Sequence, residues 1–568
     1  MSLQYENIDT KFNRYSVIPS NSQSQSSSLK TESSITNTNE FSMFIKLFAV
    51  IFFIWYIVVL SLAYNGFFEI MFKFTNKTKN KILNSIRIGN NDEDELLVDD
   101  DQLEGVTILR PLKGVDPEME ICLRSCLEQD YPLNKLEILF CVQDNNDSSI
   151  NLVRRLLNDY KHVNAKLLID DDPNNKYYYG PNPKVNNLAK GYERASNDIL
   201  WILDSNVWCR KDTLKRSVIS LTKSLDNGNP TYNFDTKKGK QVKLVHHVPL
   251  AISLNEKASS YKYLGTKLDE MFLSTSHSKF YVSFNRLSVA PCVNGKSNLY
   301  RRSELDNAVR KMGENYEPSN NGQSGDTYRD AAYYSQSNYQ GLRFFARYIG
   351  EDNMIAIALW NYGKGRTGMT GDCVVQPLGN TRSSSSIISY CNRRIRWLRV
   401  RRYMVLMATL LEPTTECLLC GFYGTFGISV LFLSSTFNRT YFVIHVLIWY
   451  LTDYIQSYKL FNSIKDINSP SVSSSLSSEN LNSFSDTAIP TTLTTITIPY
   501  FLNDSFITDF RIGKYKLKSF RKFSPIWLLR EILALPIWII AILGSKINWR
   551  GQYFIIKSDL SAERLRNQ

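Results

Sequence analysis

The residues best suited to chemistry lie in a few short motifs. Leu139-Phe140-Cys141-Val142-Gln143-Asp144 places a carboxylate just past a continuous apolar run, and Trp201-Ile202-Leu203-Asp204-Ser205-Asn206 does the same with Asp204. A third acidic pair, Glu351-Asp352, follows Phe344–Gly350 and opens the helical run Asn353–Trp360. Carboxylates on one sheet edge can converge although distant in sequence. An Asp followed two residues later by an Asn offers two oxygen-bearing side chains on one side, which suits a hard cation, Mg2+ or Mn2+, bridging a diphosphate. A lone Asp after a strand is more often a turn residue or a helix N-cap, and Asp352 invites the N-cap reading. Three such positions in one chain outweigh it. Arg393, Arg396 and Trp397 then fall at i, i+3 and i+4 of a helix, forming one stripe. It offers guanidinium groups to a pyrophosphate and an indole surface to a sugar or acceptor. Ile388, Cys391, Ile395 and Leu398 recur on a second face, expected against the sheet domain or the bilayer. With Arg399, Arg401 and Arg402 the same helix also suits a basic surface resting on anionic lipid.

The elements that must hold these motifs alternate. Val106–Arg110, Leu136–Val142, Lys166–Ile169 and Ile199–Leu203 are short apolar runs. They are separated by stretches of helical character at 116–129 and Ile150–Tyr160. Uninterrupted apolar strands between helices predict a parallel sheet covered on both faces. Ligands of such sheets bind beyond the carboxyl ends of the strands, where Asp144 and Asp204 fall.

The chain has 568 residues, 43% of them hydrophobic, and a formal charge of +13. That surplus suits an anionic partner. The basic clusters flank apolar segments and no nucleic-acid-binding motif occurs, so a membrane surface and a phosphorylated substrate are favoured over nucleic acid. Nine irregularly spaced cysteines read as free thiols in a reducing compartment. Residues 1–42, rich in Ser, Asn, Thr and Gln, read as disordered. Leu47–Tyr64 carries no charge and is long enough to span a bilayer, so 43–66 reads as a transmembrane signal anchor. Lys73, Lys77, Lys79 and Lys81 follow it and place the downstream chain in the cytosol by the positive-inside rule. The expected order continues with a basic then acidic linker (67–104), an α/β catalytic domain (105–385) and an interfacial helix (386–412). A transmembrane hairpin (413–456) follows, built from Cys417–Leu433 and Tyr441–Leu451. Then come a flexible polar and basic loop (457–522) and a last membrane segment with a tail (523–568). The last apolar run is Ile532–Leu543, which Pro536 and the Arg530-Glu531 pair weaken as a span.

The order Asp144, Asp204-Ser205-Asn206, Glu351-Asp352 and Arg393-x-x-Arg396-Trp397 resembles the signature of inverting GT-A glycosyltransferases. Finer segments resemble the ceramide glucosyltransferase family within them. These are Pro111-Leu-Lys-Gly-Val-Asp116, Cys141-Val-Gln-Asp144, Asn182-Pro-Lys-Val-Asn-Asn187, Leu244-Val-His246, Thr275-Ser-His277, Glu412-Pro-Thr-Thr-Glu-Cys417, Asp453-Tyr-Ile-Gln456 and Trp549-Arg-Gly551. The resemblance implies a Rossmann-like GT-A domain flanked by N-terminal and C-terminal transmembrane helices. It implies transfer of glucose from UDP-glucose to the primary hydroxyl of ceramide with inversion, assisted by a divalent metal, Mg2+ or Mn2+. On it, Asp144 contacts the uridine half of the donor, Asp204 holds the metal and Lys184 lies near the donor phosphates. Asp352 is the general base, with Glu351 beside it. Arg393, Arg396 and Trp397 shape the pocket and stabilise departing UDP, and His246 lies near the active site. The family also implies a Golgi or endoplasmic reticulum membrane, with the catalytic domain facing the cytosol.

The chemistry is coherent on its own terms. UDP leaves only when its charge is neutralised, a hydroxyl acceptor needs a nearby base, and one carboxylate suffices for a single inverting displacement. The chain departs from the compact pattern at its polar N-terminus, at Ser224–Gln241, at 314–340 and at the Ser/Thr-rich 463–497, all read as surface loops. A phosphorylated regulatory segment is the second reading of 463–497. Rival functions are a polysaccharide synthase, a polyprenyl-phosphate sugar transferase or an inactive membrane scaffold. A processive synthase needs more membrane helices than the three or four here, and an inactive scaffold has no need of all three carboxylates.

Overall fold

The computed structural model describes residues 41–83, 100–170, 178–222, 240–254, 263–316, 326–379, 385–464, 499–509, 516–517, 520–549, 552–557 and 560–565. The expectations for the polar N-terminus, the acidic part of the 67–104 linker and the Ser224–Gln241 insert lie wholly or mostly outside these residues. So do those for the middle of 314–340, nearly all of 463–497 and Arg550-Gly551.

Seven strands make the main sheet: β1 (Val106–Leu112), β2 (Leu136–Val142), β3 (Ala165–Ile169), β4 (Ile199–Leu203), β5 (Val242–His246), β7 (Ser297–Arg301) and β8 (Arg366–Gly368). Their order is β3-β2-β1-β4-β7-β5-β8. The expected parallel sheet is realised from β3 to β4, where Val106 pairs with both Leu136 and Ile199. Beyond that the sheet is mixed, because β7 runs antiparallel to both β4 and β5. Alternate residues of β1, β2 and β4 feed two cores. Ile108, Ile138, Phe140 and Trp201 point into one, and Leu109, Leu139, Cys141 and Ile202 into the other. This is why these strands are apolar without alternation. A separate parallel pair, β6 (Val248–Ser253) and β9 (Cys373–Leu378), extends the domain towards the membrane helices.

Two helices are long and apolar enough to cross a membrane, Met43–Lys73 and Phe520–Leu543. A third span results if Leu406–Thr415 and Cys417–Phe432, bent by 80°, count as one. The anchor is thus longer than the charge-free run suggested. The final helix starts well before Ile532 and continues through both Pro525 and Pro536. The segments expected to form a transmembrane hairpin are the helices Cys417–Phe432 and Arg439–Asn462; the second is not among the described helices apolar enough to cross a membrane, and it runs into the segment expected to be a loop. The expected tail is folded as well, with a three-stranded antiparallel sheet from Ile547–Trp549, Gln552–Ile556 and Ala562–Arg564.

The membrane helices and the catalytic domain share one core, in which Tyr56, Ile70, Leu250, Met271, Trp449 and Trp527 pack together. Their approach is close. A Cβ on Gly66 would lie 1.9 Å from the Lys279 carbonyl oxygen, so only glycine lets the anchor lie against the helix Ser278–Leu287. Buried polar ties add to it. Lys279 Nζ pairs with Asp453 at 2.7 Å, and Gln456 donates to the Ser274 and Thr275 carbonyls at 3.0 and 2.8 Å. These last bonds satisfy carbonyls in a π-helical turn, Leu273–His277, where the ordinary helix ladder is broken. Of the four lysines after the anchor, Lys79 is fully buried against Asp372 and the Ser463 carbonyl, and Lys73 pairs with Glu69. Lys77 and Lys81 remain exposed.

Candidate active site

Three elements bring the central charges together. Asn182 caps the helix Pro183–Arg194, its Oδ1 accepting from the Lys184 and Val185 amides at 2.9 and 3.2 Å, and Pro183 occupies the first turn. Asp204 follows β4, as its motif indicated. Glu351 and Asp352 do not follow a strand. A helical turn, Gly341–Phe344, and a 3-10 turn, Phe345–Arg347, precede them, and the two acids open the helix Glu351–Asn361, with Gly350 at its N-cap. They sit where the helix dipole favours negative charge.

Lys184 Nζ stands at the centre, 2.9 Å from Asp204 Oδ1, 3.1 Å from Glu351 Oε1 and 2.9 Å from the Gly295 carbonyl. Lys296 holds the other Asp204 oxygen at 3.2 Å and approaches Asn206 Oδ1 at 3.5 Å. Glu351 is steadied from behind by the Asn182 amide at 2.8 Å. Gly295 is the floor, since a Cβ there would stand 3.2 Å from both Asp352 Oδ2 and Lys184 Nζ. The electrostatics separate the carboxylates. Burial alone would raise Asp204, but Lys184 and Lys296 override it and hold the group down at about 2. Burial raises Asp352 and the neighbouring Glu351 charge raises it further, to about 7, despite Lys184. Burial would likewise lower Lys184, yet Asp204 and Glu351 hold it above its ordinary value, so it stays charged.

The other expected residues are placed less centrally. Asp144 lies on the same sheet edge after β2, exposed, with Oδ1 accepting from the Asn146 amide at 2.8 Å. His246, at the end of β5, is fully buried, 2.5 Å from the Tyr281 hydroxyl and 3.2 Å from Asn285 Oδ1. Burial lowers its pKa to about 3, so the imidazole is neutral. Its link to the site is indirect, for the Tyr281 oxygen also accepts from the Asn294 amide of the loop that carries Gly295.

The helix Ile387–Met404 carries the basic motif. Arg393 pairs with Asp269, whose carboxyl burial pushes up and Arg393 opposes. Trp397 packs beside Phe272, with ring centroids 6.4 Å apart. Arg396 is half-buried on the same helix. Val400 and Met404 would touch a Cβ on Gly350, placing this helix against the turn that opens onto Asp352. The expected second face is only partly right. Ile395 and Leu398 are buried, but Ile388 is 72% exposed. Arg394 and Arg401, outside the predicted stripe, share Glu412 at 3.0 and 2.7 Å. Sequence reasoning also missed Lys296 and Gly295. The Asn294-Gly295-Lys296 turn was a local signal, but nothing in it announces a distant partner.

Among the described residues no cluster of three or more metal-ligating side chains is preformed. The oxygens of Asp204, Glu351 and the Gly295 carbonyl do gather around one positive charge, the Lys184 ammonium. Asp204 remains 22% exposed, with Asn206 two residues on. This hard, oxygen-only set fits a divalent cation arriving with a diphosphate.

The family model for glycosyl transferase family 21 matches residues 75–309 and 337–472. The chain belongs to that family. It is 52% identical over 522 residues to a ceramide glucosyltransferase of Komagataella phaffii, covering 92% of each chain. It is 43% identical to that of Candida albicans over 93% of this chain and 99% of the other. The solved mannosyltransferase PcManGT from Pyrobaculum calidifontis, in complex with GDP-Man and Mn2+, aligns with 73% of this chain and 98% of its own at TM-score 0.34 and 13% identity. The protein is accordingly a family 21 glycosyltransferase, with an α/β domain and helices long and apolar enough to cross a membrane.

Proposed function

We propose that this family 21 enzyme transfers glucose from UDP-glucose to the primary hydroxyl of ceramide, giving β-glucosylceramide and UDP. The observation that carries the mechanism is Asp352, a buried carboxyl pushed up to about 7 beside a lysine-clamped Asp204. A general base works best when its pKa lies near the working pH. At neutral pH about half of Asp352 is ionised and ready to take the acceptor's proton. One such base with no second free carboxylate in contact suits a single displacement, hence inversion. Asp204, held ionised, and Asn206 are the residues that would hold a divalent cation. When bound, that cation supplies charge neutralisation to the leaving diphosphate. Lys184 and Lys296 share that task from the protein side, placed before the reaction where negative charge develops. Asp144, exposed at the neighbouring strand end, is assigned to the uridine half of the donor. Arg393, Arg396 and Trp397 are assigned to the pocket wall. The acceptor rests on the names of the relatives above and on the shared core of anchor and catalytic domain, which keeps the site at a bilayer surface. Exposed Lys77 and Lys81 after the anchor support a cytosolic site on a Golgi or endoplasmic reticulum membrane.

The decisive experiment is transfer of radiolabelled glucose from UDP-glucose to ceramide by the full chain in nanodiscs, with and without EDTA. The expected result is metal-sensitive β-glucosylceramide. UDP release with a different lipid or a growing glycan, and none with ceramide, would move the enzyme to another substrate class.

A further inference from the structure

Beside the basic helix lies a second constellation of charges that the transfer chemistry does not use. A cavity opens between the helix Ile387–Met404, the bent pair Leu406–Thr415 and Cys417–Phe432, and the final helix, lined among others by Phe272, Tyr390, Arg394, Glu412, Arg530 and Trp538. Its charges are matched one for one. Arg394 and Arg401 share Glu412, while Arg530 binds Glu416 at 2.8 Å and also pairs with Glu531. Glu416 accepts from Ser276 at 3.0 Å, and the Trp538 indole donates to the Thr409 carbonyl at 2.7 Å. Arg394 also lies flat on Phe272, 3.6 Å from its centroid. Two of the helices that bound the cavity carry exposed apolar side chains, Leu410 and Leu411 on one and Ile532 and Leu535 on the other.

The cavity adjoins the reaction centre. At 100° of rotation per residue, Arg394, Leu398 and Arg401 form one face of their helix. Arg393, Val400 and Met404 form the next, about a quarter-turn away, and that face meets Gly350 at the Asp352 turn. Trp397 falls on the edge between them. A chain lying over that edge joins the two sites within about two helical turns, roughly 10 Å.

We propose that this cavity is the acceptor's docking site, holding the amide and secondary hydroxyl of a neutral two-chain lipid while its primary hydroxyl reaches Asp352. The inference rests on the ceramide reading above and adds the place and the selection rule. The paired acids and arginines leave no net charge to meet a phosphate. A phosphate-bearing lipid would bring a buried charge without a partner, which is costly. A neutral headgroup can instead accept from Arg394 or Arg530 and donate to Glu412 or Glu416.

The test uses the full chain in nanodiscs with N-octanoylsphingosine and UDP-glucose. Ala534 lines the cavity on the final helix and carries no charge of its own. A534F is expected to raise the ceramide KM at least fivefold and leave the UDP-glucose KM within twofold; an unchanged ceramide KM in a folded A534F overturns the proposal. Should A534F not fold, a diazirine-bearing ceramide on the wild type decides. Adducts on 390–416 or 530–538, competed by unlabelled ceramide, support the site, whereas their absence, or competition by phosphatidylglycerol, overturns it. Failure of the wild type to glucosylate ceramide at all sinks the acceptor assignment itself, which is a separate outcome.

Discussion

Two clusters of opposed charge are built into the catalytic domain, and they differ in which sign is left over. At the sheet edge, Asp204 and Glu351 pair with two ammonium groups, Lys184 and Lys296, and Asp352 lies beside them across Gly295. Beneath the anchor, Asp212 and Asp372 are held by three cations. Arg216 spans both at 2.6 and 2.7 Å, Arg210 takes Asp212 at 2.7 Å and Lys79 approaches Asp372 at 3.5 Å. Here burial would raise Asp212, but Arg216 overrides it and brings the group to about 2, and Asp372 is lowered in the same way. No carboxylate in this second cluster is short of a cation. It joins the juxtamembrane helix Asn76–Leu83 to the sheet domain, and Lys79 reaches on to the Ser463 carbonyl at the end of a membrane helix. At the sheet edge one carboxylate is in surplus, and that is the one near neutrality. Both places set carboxylates against basic side chains; the count of charges separates the proposed reacting centre from a weld.

Substitutions at the two clusters should therefore fail in different ways. Asp352→Asn removes the surplus carboxylate without adding a charge. It is expected to cut kcat by about 10²–10⁴, the range for loss of a general base, while UDP-glucose binding survives. Single-turnover transfer beside a donor-binding titration checks this, and near-normal turnover would remove Asp352 from the base role. Asp372→Asn leaves Arg216 and Lys79 short of a partner in a fully buried site. Loss of about 3–5 kcal/mol of stability is expected, with the turnover of the surviving folded enzyme little changed. Thermal unfolding in detergent against specific activity separates the two, and a stable but inactive variant would mean that the weld takes part in chemistry.

Asp204→Ala sharpens the same contrast with a smaller effect. It frees Lys184 and Lys296 from the carboxylate they share and removes the ligand assigned to the divalent cation. Metal-dependent affinity for UDP-glucose should weaken and the metal-independent part should persist. Equal affinity in the wild type and the variant, with metal present, would count against the metal role.

How much of this was legible in the sequence follows from the range of the interactions. β1, β2 and β4 are buried on both faces, so their uninterrupted apolar runs gave them away, and Asp204 came with β4 because it is the next residue. Lys184 was found only through its motif. The antiparallel β7 was not legible, since strand direction is set by partners distant in the chain. The apolar part of Arg439–Asn462 was legible as Tyr441–Leu451, but its full length was hidden by polar residues such as Asp453 and Gln456, which bond to Lys279 and to the Ser274 carbonyl. Periodicity put Arg393, Arg396 and Trp397 on one stripe correctly. It carried no information about Arg394 and Arg401, whose use depends on where Glu412 falls. Lys296 and Gly295 act through contacts with distant residues, which the local Asn294-Gly295-Lys296 turn does not announce.

The smallest expected effect is also the most discriminating, because it reads the surplus charge directly. With Asp352 as the proposed base, transfer should rise with pH through about 7 and level off above it. Stability runs the other way for this group. Its folded pKa lies above the ordinary carboxyl value, so the folded state binds more protons between about pH 4 and 7 and loses stability as pH rises through that window. Asp212, held down at about 2, keeps its full contribution across the same window and loses it only below about pH 4. After burial, the Glu351 charge is what raises Asp352, so Glu351→Gln should move the acidic limb of the kcat profile to lower pH. Asp212→Asn, in the weld, should leave that limb in place. A Glu351→Gln profile that overlays the wild type would mean the surplus charge does not set the pKa of the reacting group, and the contrast between the two clusters would lose its functional meaning.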